Sequence, residues 1–309
     1  MIITVTLNPA LDKTLTIPHF APGVVNRVGT VRRDPGGKGI NVSRWAHVLG
    51  GDTVAMGILG GDTGRYIERA LKQQGVAASF VWSGAETRTN VKVVDPEAGT
   101  TTDINEPGEP VDADILGHVY DALVNRVRPG DIAVLAGRLP KGVPTAVLPD
   151  WTAALTDRGV RVYADVEGDA LAAILPATPY LLKPNLEELS AYLGRSITEL
   201  DDIADAARTL PAGGVQRVVV SMGARGAIFA WEGAVLYARG LDIPVGSTVG
   251  AGDATVAALA VAQQQGLPMG ETARLAIAAG AASAMQPGTQ TAPLSLVESL
   301  MAKVVVQTL

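Results

Sequence analysis

Short runs of β-branched and other apolar residues alternate with longer segments of helical periodicity along most of the chain. These runs predict strands at Ile2–Leu7, Thr53–Leu59, Asp131–Leu135, Val160–Ala164, Tyr180–Lys183 and Arg217–Ser221. Helices are predicted at Ile40–Leu49, Gly64–Gln74, Asp114–Arg128, Pro144–Asp157, Leu186–Leu193, Ile203–Leu210, Ala254–Gln265 and Glu271–Ala284. Because a helix between two strands returns the chain through a right-handed crossover, the pattern predicts an α/β fold with a mainly parallel sheet.

Two segments interrupt this alternation, Thr14–Arg33 and Thr87–Asn105. Both have the composition of strands without helices, and they predict a small antiparallel sheet outside the main one. Such a sheet could cover a pocket as a lid or present a face to a second subunit. Since the segments are inserted into the α/β pattern, we expect a single domain over residues 1–309 with a lid at roughly 14–33 and 87–105.

Composition excludes several classes of function. The chain has 25 Lys and Arg against 31 Asp and Glu, a net charge of −6, which argues against nucleic acid or an anionic membrane as partner. It has no Cys and only three widely separated His, which excludes disulfides and thiolate metal sites and disfavours histidine-based ones. Neither a basic leader nor a stretch of 18 apolar residues occurs, so we expect a soluble, cytoplasmic protein.

The most informative local pattern is Ser247–Asp253, a glycine-rich turn that leads into an apolar helix. Gly250 and Gly252 precede a helix start, where unpaired backbone N–H groups and the helix dipole attract an anion such as phosphate. Asp253 could take a proton from a substrate hydroxyl beside that anion site, or it could simply be the helix N-cap. Neither the Walker pattern nor the dinucleotide-binding glycine pattern is complete here.

Two further segments carry candidate sugar-binding groups. The turn Pro35–Ser43 offers Lys38 and Asn41 as donors to hydroxyl or phosphate oxygens, although it could equally be a flexible loop that ends in a helix cap. Asp12 lies beyond the first strand, where open α/β sheets bind ligands, but an ordinary turn aspartate would have the same position.

Arg88, Asn90 and Lys92 share one face of a predicted strand and would suit a phosphorylated substrate, or form a solvated face. Asn185 and Glu188 have the spacing of a capping box and could alternatively organise Mg²⁺ and its waters. The glycines of Ser221–Ala227 predict a hairpin, with a possible role along a nucleotide.

In this order the segments resemble the ribokinase-like sugar kinases of the PfkB family, over nearly the whole chain. Gly36–Asn41 is similar to the family's N-terminal signature and Thr248–Asp253 to its C-terminal one. The resemblance implies a three-layer αβα sandwich with a small β-sheet lid. Thr6–Asp12, Thr87–Lys92 and Leu182–Asn185 resemble the branch that acts on ketohexose phosphates. The resemblance to this branch implies ATP-dependent conversion of fructose 1-phosphate to fructose 1,6-bisphosphate, with fructose 6-phosphate or tagatose 6-phosphate as alternative substrates. A non-catalytic regulator that binds sugar phosphate is the alternative from another class.

The resemblance also implies roles for individual residues. Asp253 would be the general base, and the backbone at Gly250, Ala251 and Gly252 would stabilise the transferred phosphoryl group. The sugar phosphate would be bound by Asp12, Gly37, Lys38, Asn41 and Arg88. ATP would be bound by Lys183, Asn185, Ser221, Gly223 and Gly226, with Mg²⁺ held by Asn185 and, through water, Glu188. A homodimer would form through the lid, with Thr14–Arg33 at the contact.

One position departs from the family pattern. After the Asp131–Leu135 strand the family usually has Gly-Ser-Leu-Pro, whereas this chain has Gly137-Arg138-Leu139-Pro140. Because a guanidinium group can bind a phosphate through two parallel hydrogen bonds, we hypothesise that Arg138 contacts the phosphate of the substrate directly.

Overall fold

The computed structural model describes residues 1–309, apart from the side chains of residues 211 and 212. The strands are β1 (Ile2–Thr6), β2 (Ala10–Thr16), β3 (Thr30–Gly36), β4 (Thr53–Gly60), β5 (Ala77–Ser83), β6 (Arg88–Asp95), β7 (Thr100–Asn105), β8 (Ile132–Ala136), β9 (Arg161–Asp165), β10 (Leu181–Leu182), β11 (Arg217–Ser221), β12 (Gly226–Trp231), β13 (Ala234–Arg239) and β14 (Val306–Thr308). The helices are α1 (Lys38–Val48), α2 (Gly61–Gln73), α3 (Ala113–Arg126), α4 (Val147–Thr156), α5 (Asp169–Ile174), α6 (Leu186–Leu193), α7 (Leu200–Ala212), α8 (Ala251–Gln265), α9 (Met269–Ala284) and α10 (Leu294–Met301).

The main sheet has ten strands in the order β14-β13-β12-β11-β10-β9-β8-β1-β4-β5. Strands β5, β4, β1, β8, β9, β10 and β11 are parallel, and β12, β13 and β14 continue the sheet in antiparallel fashion. The predicted α/β fold with a mainly parallel sheet is confirmed. Strand order reverses at β1, which pairs with β4 on one side and with β8 on the other, and such a reversal opens a crevice at the carboxyl ends of the strands.

Helices cover both faces of this sheet and give the expected three layers. Alternate residues of a strand point to opposite faces, so the neighbours Ile2 and Ile3 belong to different clusters of buried side chains. Ile2 packs in the cluster formed with α1, α8, α9 and α10, and Ile3 in the one formed with α3 to α7. A third cluster lies under α2 and includes Leu59, Ile67 and Leu71.

The interrupting segments form a separate four-stranded sheet in the order β3-β2-β6-β7. The prediction of a second sheet is correct. The prediction that this sheet is antiparallel throughout is wrong, because β2 and β6 pair in parallel, with Asp12 opposite Asn90. The sheet also starts earlier than predicted: β2 follows β1 after a short bend at Leu7–Pro9, which places Asp12 inside a strand and not in a turn.

Predicted boundaries of the main elements agree with the structure to within a few residues, and α6 agrees at both ends. Several elements were not predicted, namely β5, α5, α10, β13 and β14, and β12 was implied only by the predicted hairpin at Ser221–Ala227. Within the described part of the chain, every helix is too short or too polar to cross a membrane.

Candidate active site

A cavity of about 930 Å³ lies at the carboxyl ends of the parallel strands, between the main sheet and the four-stranded sheet. Loops that follow β1, β8, β9, β10 and β11 contribute to its wall, as the reversal of strand order at β1 leads one to expect. The structure brings all the predicted site residues together here: Asp12, Gly37, Lys38, Asn41, Arg88, Arg138, Lys183, Asn185, Glu188, Ser221, Gly223, Gly226, Gly250, Ala251, Gly252 and Asp253.

Helix α8 begins at this cavity. Its N-cap is Gly250, whose φ of 86° is in the left-handed region that favours glycine, and no side chain caps the helix. The alternative interpretation of Asp253 as the N-cap is therefore wrong. Its buried carboxylate instead accepts a hydrogen bond at 2.9 Å from Nδ2 of Asn41 to Oδ2. The N–H of Ala251 donates to the backbone oxygen of Thr248 at 3.3 Å, and the N–H groups of Gly252 and Asp253 are left for a ligand.

The carboxyl group of Asp253 has a pKa close to physiological pH. The pKa of Asp253 is raised from 3.8 to about 7. Burial is the largest cause of this rise, and the nearby carboxylate of Asp165 is the second. The hydrogen bond from Asn41 and the charges of Lys38 and Lys183 oppose the rise without cancelling it. A carboxyl group with such a pKa can exchange a proton with a hydroxyl at physiological pH, which is what a general base requires.

Asp165 lies between the two lysines of the cavity. Its Oδ1 is 3.1 Å from Nζ of Lys183 and 3.6 Å from Nζ of Lys38. Burial alone would raise the pKa of Asp165, but the two ammonium groups outweigh it and the pKa falls below its usual value. The same pairing raises the pKa of Lys38 despite its burial. Lys38 therefore stays charged beside the start of α8.

The wall formed by the four-stranded sheet carries a hydrogen-bonded chain of polar groups. Nδ2 of Asn90 donates to Oδ1 of Asp12 at 2.9 Å, and Nη1 of Arg88 donates to Oδ1 of Asn90 at 2.8 Å. Burial raises the pKa of Asp12, and the Asn90 hydrogen bond and the Arg88 charge offset only part of the rise. The predicted polar face of β6 thus lines the cavity, so the solvated alternative is wrong.

Arg138 lies at the mouth of the cavity and forms an ion pair with Glu167 through its Nε. The side chain of Arg138 is 79% exposed. Burial is the main cause of the lowered pKa of Arg88, and the charge of Arg138 contributes to the lowering. An exposed ion pair of this kind contributes little to stability, so Arg138 can exchange its partner for an incoming anion at low cost.

The opposite end of the cavity contains Asn185, Glu188 and the turn between β11 and β12. Asn185 and Glu188 form the predicted capping box, in which each side chain accepts a backbone N–H of the other at 2.8 Å. The predicted hairpin is also present, since β11 and β12 are antiparallel neighbours around Gly223. Among the described residues, no group of three or more Asp, Glu, His or Cys side chains converges at one point.

Analysis of the sequence missed Asp165 and Glu167 as site residues, although both line the cavity. Asp165 is the last residue of β9 and Glu167 lies two positions further on, so a search of the positions after the predicted strand Val160–Ala164 would have found both. Asn90 was noticed as part of a polar face but not as a partner of Asp12. Lys183 approaches the start of α8 so closely that a Cβ added to Gly252 would lie 3.6 Å from its Nζ.

Comparison with known proteins gives consistent matches over the whole chain. Residues 5–295 match the sequence family described as pfkB family carbohydrate kinase. The 1-phosphofructokinase of Rhodobacter capsulatus is 39% identical over 309 residues, with 100% of this chain and 98% of the relative covered. The 1-phosphofructokinase of Escherichia coli K12 is 34% identical over 307 residues, covering 99% and 98%. The crystal structure of Escherichia coli phosphofructokinase-2 with substrates and products has a TM-score of 0.94 and 32% identity, with 98% of each chain covered.

Proposed function

The chain belongs to the pfkB family of carbohydrate kinases, and from that premise we propose that it is a 1-phosphofructokinase. It transfers the γ-phosphoryl group of ATP to the 6-hydroxyl of fructose 1-phosphate, which gives fructose 1,6-bisphosphate and ADP. One observation carries the proposal: the buried carboxylate of Asp253 adjoins the uncapped start of α8 in a cavity with cationic groups at both ends.

Asp253 is the general base in this mechanism. Its carboxylate accepts the proton of the 6-hydroxyl as the oxygen forms a bond to the γ-phosphorus, and the bond from that phosphorus to the bridging oxygen breaks with its electron pair leaving on ADP. Charge that develops on the transferred group is stabilised by the backbone N–H groups at Gly250, Ala251 and Gly252, for which the N–H of Ala251 leaves the backbone oxygen of Thr248, with Lys38 and Lys183 nearby. Phosphoryl transfer depends chiefly on such positioning and electrostatic stabilisation.

The sugar phosphate binds on the side of the four-stranded sheet. Asp12 accepts hydrogen bonds from sugar hydroxyls, with Gly37, Lys38 and Asn41 on the facing turn. Arg88 and Arg138 bind the phosphate that the substrate already carries, and Arg138 leaves Glu167 to do so. Guanidinium groups suit this task because their planar donors match phosphate oxygens.

ATP binds at the other end, along Lys183, Asn185, Ser221, Gly223 and Gly226. The donor set fits Mg²⁺ in its usual kinase form, because this ion keeps most of its waters and needs only one or two protein oxygens besides the phosphates. Asn185 and, through water, Glu188 would hold it, and the bound ion would neutralise charge on the phosphates. The capping box holds both side chains in one orientation at this end of the cavity, which supports the proposed role.

We further propose one kinase domain over residues 1–309 with the four-stranded sheet as its lid, a homodimer formed through that lid, and a cytoplasmic location. Exposed apolar side chains on the lid support the dimer, among them Val24 and Val25 at 64% and 86% exposure. A lid is also what a kinase needs to exclude water from the transferred phosphoryl group.

The test is the initial rate of ADP formation with fructose 1-phosphate, fructose 6-phosphate and tagatose 6-phosphate, each with ATP and Mg²⁺. We expect the highest kcat/KM for fructose 1-phosphate, by at least about tenfold, a margin of about 1.4 kcal/mol in transition-state binding. A higher kcat/KM for either 6-phosphate would overturn the substrate assignment. No turnover with any of the three, with binding retained, would favour a non-catalytic regulator.

Fructose 6-phosphate remains the second candidate substrate because the fold superimposes closely on a phosphofructokinase-2. Both reactions give fructose 1,6-bisphosphate, so the product does not separate them, and the kinetic comparison above does. Tagatose 6-phosphate would give a different bisphosphate, which ³¹P and ¹³C NMR identify directly.

A further inference from the structure

Arg44 is a buried arginine in the middle of α1, one turn after Asn41, and neither the predicted site nor the mechanism above uses it. It is only 4% exposed and forms no ion pair within 4.0 Å among the described residues. Burial lowers its pKa, and only the more distant carboxylates of Asp34 and Asp12 oppose this. A charged group kept in such surroundings needs hydrogen-bond acceptors on every side.

The acceptors come from four separate parts of the chain. Nε of Arg44 donates to Oε1 of Gln74 at 2.8 Å. Nη1 donates to the backbone oxygens of Thr289 at 3.0 Å and Pro35 at 3.2 Å, and to Oδ1 of Asn41 at 3.3 Å. Pro35 is the second-to-last residue of β3 in the lid, and Thr289 lies in the loop after α9. The guanidinium group is therefore held in place independently of Asn41.

The contact with Asn41 has a chemical consequence. A side-chain amide has one acceptor end and one donor end, and a guanidinium group can only donate. Arg44 therefore requires that Oδ1 of Asn41 face it, which turns Nδ2 toward Asp253, where it donates at 2.9 Å. With the amide reversed, Oδ1 would face the carboxylate of Asp253, and that contact is favourable only if Asp253 is protonated.

We propose that Arg44 is a positioning residue that fixes the amide of Asn41 in the orientation from which it donates to the general base Asp253. The proposal rests on the proposed kinase function for its role in turnover, although the hydrogen-bond relay itself does not. Three other charged groups face Asp253, namely Asp165 at the end of β9, Lys38 on α1 and Lys183 after β10. Arg44 acts beside them by setting a hydrogen bond and not by its own charge.

The test compares Arg44→Met with the matched control Gln74→Ala, which removes the Nε partner of Arg44 and leaves the Asn41 contact intact. We expect the pKa that governs kcat to rise by about one unit in Arg44→Met, with about a fivefold lower kcat at pH 7, because the ionised base loses its donor. The control should keep the wild-type profile. Arg44→Lys, which retains the buried charge, is the second variant if Arg44→Met does not fold, and a smaller shift in the same direction is expected.

A double-mutant cycle separates positioning from a general structural or charge effect. If Arg44 acts through Asn41, the shift disappears when both proteins also carry Asn41→Ala. A wild-type pKa in Arg44→Met, or a shift that persists undiminished in the Asn41→Ala background, would overturn the proposal.

The titration of Asp253 is also measurable without turnover. The difference in unfolding free energy between each protein and its Asp253→Asn counterpart, followed from pH 5 to pH 8, reports the same pKa through linkage. Absence of turnover in the wild-type chain would count against the proposed function alone. Absence of the shift in the unfolding measurement would count against the role of Arg44.

Discussion

Replacing Asp253 with Asn should abolish turnover and at the same time stabilise the fold. Burial and the neighbouring Asp165 raise the pKa of Asp253 from 3.8 to about 7, so the folded protein resists ionising this carboxyl. Since one pH unit corresponds to about 1.4 kcal/mol, keeping the carboxylate ionised above pH 7 costs about 4 kcal/mol. Asn removes that cost, and its Oδ1 can still accept the hydrogen bond from Asn41.

The sign of the pH dependence follows from the same values. Below about pH 4 the carboxyl is protonated in both the folded and the unfolded chain, so Asp253→Asn should change stability little. Between about pH 4 and pH 7 the unfolded chain is ionised while the folded one keeps its proton, so the wild type loses stability as the pH rises. The advantage of the variant should therefore grow through this range and level off above pH 7.

Urea denaturation of both proteins at pH 5 and at pH 8 measures the difference, and the kinase assay measures the loss of turnover. We expect a gain of about 1–4 kcal/mol at pH 8, smaller at pH 5, with a kcat reduced by at least about 10²-fold. Retention of ATP binding would show that the site is still formed. Full turnover would refute the role of Asp253 as base, and a variant less stable than the wild type at pH 8 would refute the argument from burial.

Four further outcomes are expected. In the wild type, kcat/KM should fall about tenfold for each pH unit below 7 as Asp253 is protonated and level off above about pH 8. A kcat/KM that does not change between pH 5.5 and pH 8 would contradict the assignment of Asp253 as general base. Arg138→Ser should raise the KM for the sugar phosphate by about tenfold and leave that for ATP unchanged, because the lost contact is charged but exposed; an unchanged KM for the sugar phosphate would end the Arg138 hypothesis. Glu188→Gln keeps a capping-box residue, so the melting temperature should stay the same while the Mg²⁺ concentration for half-maximal rate rises severalfold; an unaltered Mg²⁺ requirement would leave Glu188 with only its capping role. Val24→Asp should lower the molar mass in light scattering from dimer to monomer, while Val305→Asp, equally exposed at 64%, should not; equal masses would argue against the lid contact.

The main sheet was predictable because strands buried on both faces are continuous apolar runs that stand out in sequence. The missed strands β5 and β14 lack this property. Strand β5 lies at an edge and is largely half-buried, and β14 lies at the other edge with only three residues, none of them buried. The parallel pairing of β2 with β6 joins residues 78 positions apart, such as Asp12 and Asn90, and no local pattern encodes that choice.

The site was predictable where a turn brings ligand-binding groups to the end of a strand or the start of a helix, as at Lys38, Lys183 and Asp253. Asp165 was missed because its role depends on two lysines brought to it by other strands and helices. Arg44 looks like an ordinary helical residue in sequence, and one of its acceptors, Thr289, is 245 positions away. Long-range contacts of this kind are set by tertiary packing alone.

The pairing of β2 with β6 links two properties that are separable in many enzymes, namely the contacts of the outer surface of the lid and the arrangement of polar side chains in the cavity. Along both strands, alternate side chains point into the cavity, with Asp12 and Asn90 in register, while the residues between them point the other way. A slip of one position would turn Leu11 toward the cavity and the polar pair away from it. Any change on the outer surface of the lid that shifts this register would therefore also move Asp12 and Asn90 out of the cavity, so the proposed subunit contact and the proposed choice of sugar would vary together.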